Sequence, residues 1–225
     1  MHGQKIGIVF IVRCMLVLLA YCTGALAEQH YVRIGVDDGL PNATIYSVKQ
    51  DSTGFLWLGS TNSGLLRYDG YRFVEFAVLT DTELQRHQTP DVGVVLIDHA
   101  DNIWAGTWGL GLSRLDAQTG ELTRYTSENG LAGNQIQGLL QDADGNIWVG
   151  TTSGLSRIDA QFQITNIGQA GLKQSLADQR IWSLTQTPDG VIWIGTSAGL
   201  HSWQQNDGWL GVTVSLALAC TGVDV

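Results

Sequence analysis

The residue types that do covalent or metal chemistry are few in this chain and stand far apart. Its histidines, His2, His30, His87, His99 and His201, show no metal-ligand spacing, so no zinc site is expected. No glycine-rich loop carries a phosphate-binding lysine, and no serine reads as a nucleophile on a strand-to-helix elbow. Asp142-Ala-Asp144-Gly-Asn146 opens like a calcium loop, but Ile147 and Ser153 stand where that loop needs glycine and glutamate. It reads as a hairpin turn. No catalytic residue, metal or cofactor is expected. For an acid–base enzyme, His99 and Asp101 would be the residues to nominate.

Binding chemistry has better candidates. Trp108, Asn62 and Ser153 fall in short connections within repeated units, and Arg180 ends the long linker 169–180. The other long linker is 79–91. An indole at 108 can stack on a sugar ring or another flat apolar face, and packing against the adjacent loop is its structural alternative.

These residues must be held by a repeat that the sequence spells four times. Asp51-Ser-Thr-Gly-Phe-Leu-Trp57-Leu-Gly59 aligns with Asp98-His-Ala-Asp-Asn-Ile-Trp104-Ala-Gly106. Asp142-Ala-Asp-Gly-Asn-Ile-Trp148-Val-Gly150 and Thr187-Pro-Asp-Gly-Val-Ile-Trp193-Ile-Gly195 continue the series, with the tryptophans 47, 44 and 45 residues apart. Upstream, Ile45, Val92, Ile136 and Ile181 hold one equivalent position; downstream, Gly64-Leu65, Gly111-Leu112, Gly154-Leu155 and Gly199-Leu200 hold another. Each unit reads as four short strands divided by an Asp-x-x-Gly-type turn and a second glycine. A period of about 45 residues with four strands is that of a β-propeller blade, and glycines inside every would-be helix exclude helical solenoids. Trp57, Trp104, Trp148 and Trp193 are expected to fill the layers between blades, with Gly59, Gly106, Gly150 and Gly195 allowing close backbone approach. Residues 30–36, followed by Asp38-Gly39-Leu40, look like an outermost fourth strand without its first three. Leu122-Thr-Arg-Tyr125 before Asn129-Gly130-Leu131 is the fuller version, and 164–167 with Gly171-Leu172 a shorter one.

The 225 residues are 44% hydrophobic and 15% charged, which argues against disorder and a coiled coil. A net charge of −9 repels phosphate backbones, so nucleic acid is not an expected partner. Residues 1–27 read as a secretory signal peptide: Lys5 and Arg13, an apolar run over 14–21, and Ala25-Leu26-Ala27 as the cleavage site. Its loss takes the basic count from 12 to 10 against 21 acidic residues, a net of −11, and leaves Cys220 as the one cysteine. The expected place is therefore periplasmic or otherwise extracytoplasmic, with no internal disulfide framework.

With these motifs together, residues 30–209 resemble the two-component regulator propeller repeat. Asp38-Gly39-Leu40-Pro41, Asp51 to Ser60, Gly64-Leu65 and Arg67-Tyr68-Asp69 carry the resemblance, as does the run from Asp142 to Asp159. It implies an all-β fold with four four-stranded blades from a seven-bladed propeller, the periplasmic sensor region of a large receptor. Such receptors continue into an output domain, a histidine kinase or diguanylate cyclase, and a dimer is compatible with them. The implied function is non-catalytic sensing of a carbohydrate or other small extracytoplasmic ligand. A periplasmic propeller enzyme of lyase or quinoprotein type, and a protein-docking propeller, are the alternatives. The tail 210–225 departs from the repeat, which suggests a chain cut short or a reading frame shifted near Trp209, rather than a ring closed by four blades alone.

Overall fold

The computed structural model describes residues 31–42, 44–80, 83, 89–167, 176, 179–204 and 208–210. The expected leader, the tail beyond Leu210 and most of both long linkers, with Arg86, His87 and Leu172, lie outside the described residues. By internal contacts the chain divides into Met1–Ile34 and Gly35–Val225, and the sheets belong to the second unit.

Four antiparallel sheets, each with its strands in chain order, make up that unit. The first contains β1 (Ile45–Gln50), β2 (Leu56–Ser60), β3 (Gly64–Tyr68) and β4 (Phe73–Phe76). The second contains β5 (Val92–Ile97), β6 (Ile103–Thr107), β7 (Leu112–Leu115) and β8 (Leu122–Tyr125). The third contains β9 (Ile136–Gln141), β10 (Ile147–Thr151), β11 (Gly154–Ile158) and β12 (Ile164–Ile167). The fourth contains β13 (Ile181–Gln186), β14 (Ile192–Thr196), β15 (Gly199–Gln204) and β16 (Gly208–Leu210). The first strands β1, β5, β9 and β13 are neighbours in that order, so the sheets stand side by side as blades of a propeller.

Both faces of an inner blade are covered, and the repeated residues explain how. Trp57 shares a cluster with Leu65 of its own blade and with Val92, Val95, Ile103 and Ala105 of the next. Trp104 meets Ile136, Ile147, Val149 and Ile158 in the same way, and Trp148 meets Ile181, Ile192 and Ile194. Truncating a buried tryptophan of this kind costs roughly 3–5 kcal/mol. Trp193 holds the equivalent place in β14 but is only half-buried, since no further sheet follows among the described residues. Close approach needs the paired glycine: a Cβ on Gly106 would stand 2.7 Å from Ile136 Cγ2 of the next blade.

An indole N–H taken into an apolar layer needs an acceptor. Asp51, Asp98 and Asp142 supply it through Oδ2, at 2.8, 2.8 and 2.7 Å from the Nε1 of Trp57, Trp104 and Trp148. The other oxygen of each carboxylate closes the turn, accepting backbone N–H bonds from residues two and four ahead; for Asp142 these are Asp144 at 3.0 Å and Asn146 at 2.8 Å. In the fourth blade Thr187 replaces the aspartate and its hydroxyl turns to Asp189 (2.5 Å) and the Val191 carbonyl (3.1 Å). A leucine five residues before the inner strand completes each layer it enters: Leu40, Leu131 and Leu176 are all buried.

Two expectations about the ends of the repeat are corrected. Residues 31–35 form no strand, and Val36–Asp38 is a 3-10 turn whose Asp38 Oδ2 accepts the Gly35 N–H at 2.8 Å. The outer edge of the fourth blade is instead paired by β16, with Trp203 opposite Trp209, although the repeat spelling has faded there. In the third layer the buried leucine is Leu176, and Gly171-Leu172 lies outside the described residues.

Two outcomes follow from the aspartate–indole bond. Thr187→Asp should stabilise the fold by about 0.5–2 kcal/mol by giving Trp193 an acceptor; an unchanged urea midpoint would contradict this. Burial would raise the Asp51 carboxyl, but bonds from the Thr53 hydroxyl, the Trp57 indole and the Phe55 and Thr53 N–H groups outweigh it and hold it below 3.8. Its contribution is therefore full above that ordinary value and disappears as pH falls through the lower folded one. Asp51→Asn should flatten the acid limb of the stability–pH curve, measured by urea unfolding between neutral pH and about pH 2.

Candidate functional site

One residue in each inner strand escapes the ladder. In β1 the register runs Ile45 opposite Ser60 and then Ser47 opposite Gly59, leaving Tyr46 as the extra residue of a bulge. Gly93, Gln137 and Trp182 are the extra residues of β5, β9 and β13. A bulge re-aims its side chain out of the sheet, so this position is presented along the inner edge of every blade. Tyr46 and Trp182 are 47% and 52% exposed, which for rings of this size marks a surface open to a partner.

The loop between second and third strands sits beside each bulge, tied to the residue that precedes the inner strand. Thr61 N donates to the Thr44 carbonyl, Trp108 N to Asp91, Thr152 N to Gln135 and Ser197 N to Arg180. Trp108 thus stands where the other blades carry a small hydroxyl residue. Its ring fills the space over Gly93, where any Cβ would collide with Nε1. It also meets Tyr46 of the first blade at 4.6 Å between centroids, tilted by 52°. The indole remains 43% exposed. Trp108 packs on a neighbouring ring and leaves part of its own face exposed.

The other nominated residues take their places around this pair. Asn62, left-handed at φ 57°, donates its N–H to Asp91 Oδ1 at 2.8 Å, so it and Trp108 share Asp91 as an anchor. Ser153 is exposed in the third-blade loop, its N–H on Thr151 Oγ1 at 3.0 Å. Arg180 lays its guanidinium over the Trp182 ring at 5.0 Å. Tyr46, Trp182, Gln137 and the permissive Gly93 were missed by sequence reasoning. The available signal was their variation among four units whose flanking positions repeat.

The residues nominated for acid–base work lie elsewhere. His99 and Asp101 belong to the β5–β6 turn, at the opposite end of the strands from Trp108. The His99 N–H bonds Gln141 Oε1 at 2.8 Å, and Asp101 accepts from the Ser52 N–H at 3.2 Å and from its hydroxyl. Gly195-Thr-Ser197-Ala-Gly199 has the spelling of a nucleophile elbow, yet it joins two strands rather than a strand and a helix, and Ser197 Oγ faces Gln179 Oε1 at 3.2 Å. Among the described residues no three His, Cys, Asp or Glu side chains come together as a metal site, and no helix is long and apolar enough to cross a membrane.

The model of the two-component regulator propeller family matches residues 39–62, 130–153 and 175–198. Three of the four blades thus carry a segment that matches the two-component regulator propeller repeat. Each match begins one residue before a leucine plug, Leu40, Leu131 or Leu176, and the blade with Gly93 and Trp108 lies outside the matches. No curated protein matches the chain. Among solved structures, it resembles the extracellular domain of a hybrid two-component system from B. thetaiotaomicron, at 24% identity and a TM-score of 0.66 over 80% of this chain and 26% of that one. The extracellular domain of a one-component system from B. thetaiotaomicron gives 24% and 0.65, over 79% of this chain and 24% of that one. A virginiamycin B lyase from Staphylococcus aureus gives 14% and 0.61, over 79% of this chain and 59% of that one. This propeller spans about a quarter of the two receptor domains' length, and likeness at these identities shows the fold. Gly93→Ala should push Trp108 off Tyr46, raising acrylamide quenching of the fraction assigned by a Trp108→Phe control; unchanged quenching would contradict the packing.

Proposed function

We propose that the propeller is a non-catalytic sensor module that binds a small extracytoplasmic ligand, with carbohydrate as the favoured class, and relays binding to an output domain. The observation that carries this reading is the aromatic pair Tyr46–Trp108 at the junction of two blades, with Arg180 on Trp182 at the same strand end of the fourth blade. Flat, half-exposed rings suit the apolar faces of pyranoses, and the polar loop residues Asn62, Gln137 and Ser153 suit their hydroxyls. The repeats, which occur in receptor sensor regions, and the export signal read at 1–27 support the same place and role. Ligand binding that prefers one arrangement of the two blades can shift a receptor between states.

Isothermal titration against neutral and acidic oligosaccharide panels tests this reading. Saturable binding should weaken roughly tenfold in Trp108→Ala and in Trp182→Ala, since each aromatic contact is worth about 0.5–1.5 kcal/mol. Binding indifferent to both changes would move the site elsewhere. Turnover of a bound sugar would favour the enzyme reading, and no heat from any panel would favour protein docking.

A further inference from the structure

A cavity opens at the far ends of the strands, between the first and second blades. It measures about 690 Å³ and is walled by the β1–β2, β5–β6 and β7–β8 turns. Its polar lining is unusual in one respect. The Arg67 guanidinium carbon lies 4.5 Å from the Phe55 ring centroid, 5.1 Å from Phe76 and 5.9 Å from Trp57. Its Nε is buried without a hydrogen-bond partner, as are those of Arg114 and Arg157 at the equivalent positions, and it differs from Arg114 in that no carboxylate among the described residues reaches its guanidinium. Aromatic faces hold the fork in place and leave its donors unused.

The next blade shows what the same position does when it is structural. Arg114 stands opposite Trp104 as Arg67 stands opposite Trp57. It pairs with Asp116 at 2.8 Å and is covered by Phe162 at 4.8 Å. In the first blade the residue matching Asp116 is Asp69, which is drawn to Arg72 at 3.3 Å. The site of Phe162 corresponds to Gly120, where an added Cβ would meet nothing within 4 Å. Arg67 therefore lacks both the partner and the cover.

The rest of the lining limits the ligand. Asp51, Asp101 and Asp116 face the same space, and the Thr119 and Gln118 N–H groups with Arg114 hold Asp116 down at about 2. A plain anion would meet three carboxylates, whereas a plain cation would leave Arg67 unpaired. Phe76, Ile103, Leu115 and Leu122 supply an apolar wall. We propose that this pocket binds a small zwitterion with an apolar body, an α-amino acid or short peptide, with its carboxylate on Arg67 and its ammonium group toward Asp101 and Asp116.

Titration calorimetry of the full chain with L-leucine and L-phenylalanine tests the proposal. At least one should bind saturably, at least tenfold tighter than its N-acetyl derivative, which lacks the ammonium charge. Arg67→Gln should weaken binding at least tenfold. Gly120→Phe, which copies the Phe162 cover at the surface, should abolish it and keeps the test sound if the arginine variant does not fold. Trp108→Ala should leave it unchanged. The proposal is overturned by absence of heat with both amino acids, by equal affinity for the N-acetyl forms, by undiminished binding in Gly120→Phe, or by loss in Trp108→Ala.

Discussion

One bond couples the local and the long-range parts of this fold: the indole N–H of a buried tryptophan on the carboxylate six residues before it. The tryptophan must enter the layer between two blades to fill it, and its N–H cannot go there unpaired. The aspartate answers with one oxygen while its other oxygen fixes the turn that aims the strand. Turn geometry and blade packing are thus set by the same side chain. Three blades carry the bond, at 2.7 to 2.8 Å. The blade that lacks it, with Thr187, is also the one whose tryptophan no further described sheet covers. Constraint and burial lapse together.

The blade architecture was legible because tryptophan, turn and glycines recur at a spacing that only a four-stranded unit satisfies. The details that failed depend on partners rather than on spelling. Residues 30–36 look like an outer strand by composition, but a strand needs an open edge, and β16 occupies the edge of the fourth blade. The short β16 was invisible for the converse reason: Gly208–Leu210 has no repeat signature and is a strand only because β15 pairs with it. The bulges at Tyr46, Gly93, Gln137 and Trp182 likewise exist only in the register between two strands.

Comparing the four units position by position separates two kinds of residue. The tryptophans, the glycines after them and the first residue of each inner strand hardly change, and all serve the layers between blades. The bulge residue, the loop residue beside it and the residue before the inner strand change freely. They read Tyr, Gly, Gln, Trp; then Thr, Trp, Thr, Ser; then Thr, Asp, Gln, Arg. These are the positions tied together by the loop-to-linker backbone bonds. Trp108 was found from sequence as a tryptophan out of place. Its neighbours were missed because variation, rather than repetition, was their signal.

The two candidate surfaces meet in their mechanics. The Tyr46–Trp108 contact joins the first blade to the second at one end of the strands. At the other end Ser52 bonds Asp101 across the same junction, beside the Arg67 cavity. Trp57, Val92 and Ile103 fill the space between, so the two ends share one packed layer. Packed layers of this density do not deform continuously; a change in the angle between the blades must be absorbed at both ends. At this junction a residue outside the repeat, Trp108, stands at one end, and a repeat arginine left without its carboxylate partner, Arg67, stands at the other.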